Sequence, residues 1–191
     1  MLRCFLAVPI AEPGLAAAQR MQAGLRERVA EVRWARPETL HLTVHFFGAI
    51  EEGRAATALD AVRPIANCTT PFDVVLDRLG AFPPRGTPRV LWLGPASDIT
   101  CLAAVALECR NALATAGFDV ESRRYDAHCT LGRPRTPWSE TAAAAWETSV
   151  TAAAGQTEIR FTARRLVLYE SRSAPGGAVY TEHSVLPLGR A

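Results

Sequence analysis

His41-Leu42-Thr43-Val44-His45-Phe46-Phe47-Gly48 sends Leu42, Val44 and Phe46 to one side of the chain and His41, Thr43, His45 and Phe47 to the other. A period of two among β-branched and aromatic residues specifies a strand, read here from Trp34 to Gly48. His128-Cys129-Thr130-Leu131 repeats the opening pattern inside a second candidate strand, Tyr125–Gly132. Residues i and i+2 of a strand share a side. Each tetrapeptide therefore buries an apolar pair and presents an imidazole and a hydroxyl together.

Outward from these two stretches the chain alternates. Arg3–Pro9 is short, apolar and closed by proline, a buried first strand. Glu12–Val32 repeats apolar residues at three- and four-residue steps (Leu15, Ala18, Met21, Leu25, Val29), one face of a helix. Arg54–Ala66 is an Ala-rich helix stopped near Pro64. Phe72–Leu79 and Arg89–Leu93 read as strands joined by the turn-rich Pro83–Pro88. Asp98 is placed to cap a helix running to about Ala116, with Gly117 past its end. A helix from about Ser139 to Val150 follows, then strands Phe161–Ser171 and Val179–Leu186 around the loop Ala174–Gly177. The order β-α-β-α-β-β-α-β-α-β-β makes the second half resemble the first. It predicts two lobes of similar make-up rather than a doubly wound sheet with a Gly-rich phosphate loop.

The 191 residues, 49% hydrophobic and 21% charged, suffice for one compact domain or two small lobes and exclude general disorder. All 21 cationic residues are Arg, set against 19 carboxylates. A formal charge of +2 excludes a polybasic coat for long nucleic acid and leaves a small or terminal anion as the substrate class. The most apolar run, Ile99 to Leu107, is about nine residues against the ~20 that a membrane-spanning helix needs. The N-terminal apolar run Phe5–Ile10 is shorter than a secretory core. Five Cys without a C-x-x-C pair read as reduced, packed thiols, and the expected location is cytoplasmic.

Two imidazoles facing one another across a cleft, with two Thr hydroxyls on the oxygens of an anion between them, suit phosphoryl transfer by general acid–base catalysis. One neutral His takes a proton from water and a protonated one gives a proton to the departing oxygen. The scheme calls for no metal and no cofactor. The competing reading of the two residues is that of ordinary half-buried histidines.

Arg33-Trp34-Ala35-Arg36-Pro37 leading into His41–Gly48 resembles the first signature of the RNA 2',3'-cyclic phosphodiesterases, the "2'-5' RNA ligase" branch of the two-histidine phosphoesterases. Phe82-Pro83 before Arg89–Gly94, then His128-Cys129-Thr130-Leu131-Gly132-Arg133, and Leu168-Tyr169-Glu170-Ser171 are similar to that family in the same order. The resemblance covers essentially the whole chain. It implies an α+β, bilobal fold over residues 1–191: two similar lobes of antiparallel sheet, helices packed on the outside, and a catalytic cleft between them. It implies opening of a 2',3'-cyclic phosphate at an RNA or nucleotide end to a 2'-phosphomonoester. His41 would be the proton donor to the departing 3'-oxygen and His128 the base toward water. Thr43, Thr130 and Arg133 would bind the phosphate. Ala127 departs from the proline that commonly precedes the second His.

Five neighbours complete the expectations. His45 shares the face of His41 on an ideal strand but stands roughly 13 Å along it, too far for a shared zinc. Phe46 and Phe47 are core candidates, and Phe46 is also a candidate base-stacking residue in substrate binding. Arg133 has the wrong parity to join Thr130 unless the strand bends at Gly132. Cys129 faces away from both proton carriers and is no nucleophile. The expected partners are RNA with 2',3'-cyclic phosphate ends or cyclic nucleotides, without a membrane, and nothing demands more than a monomer. Ligation through a 2',5' linkage, by reversal, would be secondary, and no adenylating lysine exists in a chain without Lys. The rival class is a catalytically silent nucleotide- or RNA-end-binding module; a zinc hydrolase would need Trp34–Gly48 to be helical.

Overall fold

In the computed structural model, residues 1–96, 99–135, 137–174 and 177–189 are described. The elements run β1 (Leu2–Pro9), α1 (Gly14–Arg28), β2 (Val32–Trp34), a 3-10 turn (Pro37–Thr39), β3 (His41–Ile50), α2 (Glu52–Cys68), β4 (Phe72–Leu76), β5 (Arg78–Phe82), β6 (Val90–Gly94), α3 (Thr100–Thr115), β7 (Cys129–Pro134), α4 (Glu140–Ala153), β8 (Ile159–Ala163), β9 (Arg165–Ala174) and β10 (Gly177–Pro187). They form two antiparallel four-stranded sheets, β10-β9-β1-β3 and β2-β7-β6-β5, and a ribbon β4-β8. Helix α2 packs on β9 and β10 and α3 on β3, while α1 reaches β8 and α4 reaches β5. This is the expected α+β arrangement of two lobes. No helix among the described residues is long and apolar enough to cross a membrane.

The lobes are not the two halves of the chain. The first sheet joins β1 and β3 to the C-terminal β9 and β10, and the second borrows β2 from the N-terminal half. The exchange follows from where the expected elements break. Helix α1 stops at Arg28, not Val32: Val29 is already extended, and Glu31, with a left-handed φ of 60°, then turns the chain into β2. The stretch Trp34–Gly48 is interrupted by the turn at Pro37, so β2 and β3 enter different sheets, and β3 runs on through Gly48 to Ile50. Phe72–Leu79 divides at Asp77, whose carboxylate accepts from the Ala96 amide, and Phe161–Ser171 divides at Arg164. Tyr125–His128 leads into β7 without being part of it. Helix α2 passes through Pro64, which is exposed beside solvent-facing Asp60 and so removes one amide on the wet side only. Ser139 caps α4 through its side chain onto the Ala142 amide. Ile99 precedes α3, and the cap expected at Asp98 lies outside the described residues, as do Pro175 and Gly176 of the loop expected at Ala174–Gly177.

Each sheet turns an apolar face to its helices: Cys4, Leu6, Val8, Leu42, Leu166 and Leu168 from the first, Leu91, Leu93, Cys129 and Leu131 from the second, all essentially inaccessible. The two sheets touch along β3 and β7, the strands that carry the repeated tetrapeptides.

Candidate active site

His41 begins β3 and His128 immediately precedes β7. Each ring is tied to the main chain in the same way. His41 Nδ1 lies 2.6 Å from the Thr39 carbonyl and His128 Nδ1 2.8 Å from the Asp126 carbonyl. A carbonyl can only accept, so both Nδ1 atoms donate and both Nε2 atoms are left as the proton-exchanging positions. The two segments also meet directly: the His41 main-chain amide points at the Cys129 sulfur, and the His128 imidazole is close enough to depress the pKa of His41.

The surroundings of the two rings differ. His41 stacks on buried Phe5 at 4.7 Å and meets Tyr180 edge-on at 5.3 Å and Tyr169 at 5.9 Å. Burial in this aromatic cage is the main cause that lowers its pKa to about 4, with His128 adding to it and the bond to Thr39 opposing. His128 packs edge-on against Phe82 at 5.0 Å, and Phe82 leans on Trp92 at 5.3 Å. The Trp92 indole occupies the space over Gly80 and Gly94; a Cβ on Gly80 would fall 2.2 Å from the ring. Glycine in β5 therefore makes room for the floor under His128.

Thr43 and Thr130 are half-buried, and neither hydroxyl has a protein partner among the described residues. Directly after each Thr the strand carries one extra residue. On β3, Thr43 faces Ala7 and His45 faces Leu6, leaving Val44 as a bulge. On β7, Thr130 faces Trp92 and Gly132 faces Leu91, leaving Leu131 as a bulge. Each bulge carbonyl is held from a helix: Val44 O by Arg110 Nε of α3 at 3.3 Å, and Leu131 O by Gln22 Nε2 of α1 at 2.9 Å.

A bulge reverses strand parity, and the expected faces of three residues change with it. His45 does not share the face of His41; it turns to the helix side, is 5% exposed and lies edge-on to Phe47. Its pKa is lowered, first by burial and then by Arg110. Phe46, expected on the side of Leu42 and Val44, changes face as well. It pairs with Phe5 on the His41 face, is 49% exposed and carries the Arg3 guanidinium 4.8 Å above its ring. Arg133 gains the Thr130 face through the Leu131 bulge, one residue before the bend expected at Gly132. Phe46 and Arg133 thus occupy the same position, three residues after the Thr, on the two walls. Cys129 lies on the apolar face as expected, its thiol pushed up to about 12 by burial. Because β3 is a strand, His41 and His45 cannot act together as a helical zinc pair. The described residues hold no group of three or more His, Cys, Asp and Glu gathered for a metal.

A family model described as the 2'-5' RNA ligase superfamily matches residues 7–175. The chain belongs to the 2'-5' RNA ligase superfamily. It is 32% identical over 136 residues to an RNA 2',3'-cyclic phosphodiesterase of Methanothermobacter thermautotrophicus, covering 71% of this chain and 73% of that one. Identity is 33% over 132 residues to the Bacillus subtilis protein of the same name, covering 69% and 71%. Among solved structures, a Thermus thermophilus protein is similar with a TM-score of 0.77 at 24% identity, covering 98% of each chain. Escherichia coli LigT complexed with 3'-AMP is similar with a TM-score of 0.74 at 20% identity, also covering 98% of each. These two show the superfamily's fold.

Ala127, where the resemblance leads to an expectation of proline, sits just before an intact strand β7. Ala127 is buried and its carbonyl approaches Gly94 so closely that a Cβ there would stand 2.8 Å away. The sequence reading missed Phe5 and Tyr180 as walls of the site. Their only signal was an aromatic at alternate positions of apolar strands, which core packing produces equally well. Tyr169, Phe82 and Trp92 lay within the quoted motifs but had no role assigned.

Proposed function

We propose that this chain hydrolyses the 2',3'-cyclic phosphodiester at RNA or nucleotide ends to a 2'-phosphomonoester by two-histidine acid–base catalysis. The observation that carries the reading is the matched anchoring of His41 and His128, each Nδ1 fixed to the carbonyl two residues back and each Nε2 free. Water attacks phosphorus opposite the 3'-oxygen. Its proton passes to His128 Nε2, the P–O3' bond breaks, and the 3'-oxygen takes the proton of His41 Nε2. Thr43 and Thr130 donate to the non-bridging oxygens, and Arg133 adds positive charge. Each proton transfer is worth ~10²–10⁴-fold in rate. With the 5'-hydroxyl of a paired RNA end attacking in place of water, its proton passing to His128 and the 3'-oxygen departing with that of His41, the same steps join RNA through a 2',5' linkage, a secondary activity.

The test is turnover of a 2',3'-cyclic nucleotide in EDTA, with the product phosphate located as 2' or 3'. Loss of wild-type activity to EDTA or a 3'-phosphate product would overturn the scheme. Undiminished turnover by His41→Ala or His128→Ala would remove that residue from it. Tight binding of a nucleotide 2'-phosphate with no turnover would establish the silent binding module instead.

The low pKa of His41 favours a second assignment in which His41 is the base and His128 the acid. Catechol cyclic phosphate, whose departing phenolate needs little protonation, distinguishes the two. The variant lacking the acid recovers on that substrate and the variant lacking the base does not.

A further inference from the structure

The strand β2 is three residues long and supplies no side chain to the mechanism above, yet it begins the first quoted motif with Arg33-Trp34. Arg33 stands directly opposite Arg133 in the β2–β7 ladder, and Trp34 opposite Gly132. The Leu131 bulge puts Arg133, and with it Arg33, on the face of Thr130, while Trp34 turns toward the apolar interior. Both arginines are exposed, and neither joins an ion pair among the described residues. The nearest carboxylate along β2, Glu31, accepts from the Ser139 amide at 2.9 Å. Like charges directly opposite one another on antiparallel strands destabilise the pairing. Here no carboxylate offsets them, so two guanidinium forks face one side of the sheet with their charge uncompensated. That is the arrangement an anionic ligand satisfies, because guanidinium matches phosphate bidentately.

The position of the pair says which phosphate. Discounting the bulge, Arg133 lies two ladder steps beyond Thr130, roughly 7 Å along the strand, and His128 lies on the other side of Thr130. The arginines therefore extend the site away from the imidazoles. We propose that Arg33, with Arg133 shared between it and the reacting phosphate, forms a second anion subsite that takes the neighbouring backbone phosphodiester, so that the protein acts on RNA strand ends in preference to free cyclic nucleotides. The inference rests on the phosphodiesterase reading given above and assigns Arg33 as a specificity-determining residue.

The experiment compares kcat/KM for a 2',3'-cyclic mononucleotide without a 5'-phosphate and for an RNA tetranucleotide ending in the same cyclic phosphate. Wild type favours the tetranucleotide. Arg33→Gln lowers the tetranucleotide-to-mononucleotide ratio about tenfold, and Arg33→Lys, which keeps the charge but loses the fork, restores only part of it. An unchanged ratio, or equal loss on both substrates, overturns the subsite. A second arm measures binding of a tetranucleotide already ending in a 2'-phosphate, by fluorescence anisotropy across a salt series. Arg33→Gln reduces the slope of log affinity on log salt by about 0.7, the amount for one phosphate contact on a single strand; an unchanged slope overturns the proposal. If wild type turns over neither cyclic substrate, the phosphodiesterase reading fails while the salt slope still decides the subsite.

Discussion

The free protein holds His41 as a neutral imidazole, and a bound phosphate should raise its protonated fraction. With a pKa of about 4, about one molecule in a thousand carries the His41 proton at pH 7. The cause is burial against Phe5, Tyr169 and Tyr180, so the same shift must appear in stability. Between pH 6.5 and about 4 the unfolded chain binds a proton at this position and the folded chain does not. Stability therefore declines as pH falls through that window. A depression from 6.5 to about 4 corresponds to at most roughly 3 kcal/mol, an upper bound because His41 as a residue is only half-buried. Urea midpoints of wild type and His41→Gln at pH 7 and pH 4.5 isolate the effect, since His45 titrates in the same direction in both proteins. His41→Gln should lose most of the acid-side slope. An anion within ~4–6 Å raises an imidazole pKa by ~1–3 units. A ring-proton NMR titration with a saturating nucleotide 2'-phosphate should record that rise at His41, as the proposed donor role requires. A free-state pKa near 6.5, or no movement on adding the nucleotide, would refute the reasoning.

Two further outcomes follow from the supports of the site. Gly80→Ala drives a methyl into the Trp92 ring and should cost about 1–3 kcal/mol of stability, whereas Gly53→Ala, on helix α2 with open space around it, should gain up to about 1 kcal/mol; paired urea unfolding measures both. Gln22→Leu removes the side-chain bonds to the Ala35 and Leu131 carbonyls while relieving an unpartnered buried Oε1, for a net loss of about 1–2 kcal/mol. Unchanged denaturation midpoints for Gln22→Leu would show that the Leu131 bulge does not need this anchor.

Local patterning made the elements legible, and non-local bonds decided what became of them. The two His-x-Thr segments, the helices from Gly14, Glu52 and Glu140, and the apolar faces all follow from period and cap signals carried within a few residues. The exchange of β2 and of β9–β10 between lobes does not, because a strand's period says nothing about its partner. Neither were the bulges legible. Their anchors lie 66 residues from Val44 and 109 residues from Leu131, in helices whose Arg110 and Gln22 look like ordinary solvated positions. The expected faces of His45 and Arg133 came from an ideal period of two, which one inserted residue inverts.

That inversion explains how a four-residue motif can line a two-walled site. On an unbroken strand the side chain after His and Thr on the same face would be His45 on one wall and Gly132 on the other. Neither offers what a nucleotide needs: a second imidazole beside the first adds like charge on protonation, and glycine adds nothing. One extra residue after each Thr moves His45 and Gly132 to the apolar side and brings Phe46 and Arg133 round. The wall of His41 thereby gains an exposed aromatic surface and the wall of His128 a guanidinium. Each also keeps its free hydroxyl. The carbonyl exposed by each bulge is then satisfied from the helix behind it, so the irregularity is fixed rather than mobile. The division of labour between the walls is set by which residue stands three places after the Thr. Exchanging Phe46 and Arg133 should accordingly move the exposed aromatic surface and the guanidinium charge to opposite walls while leaving both imidazoles in place.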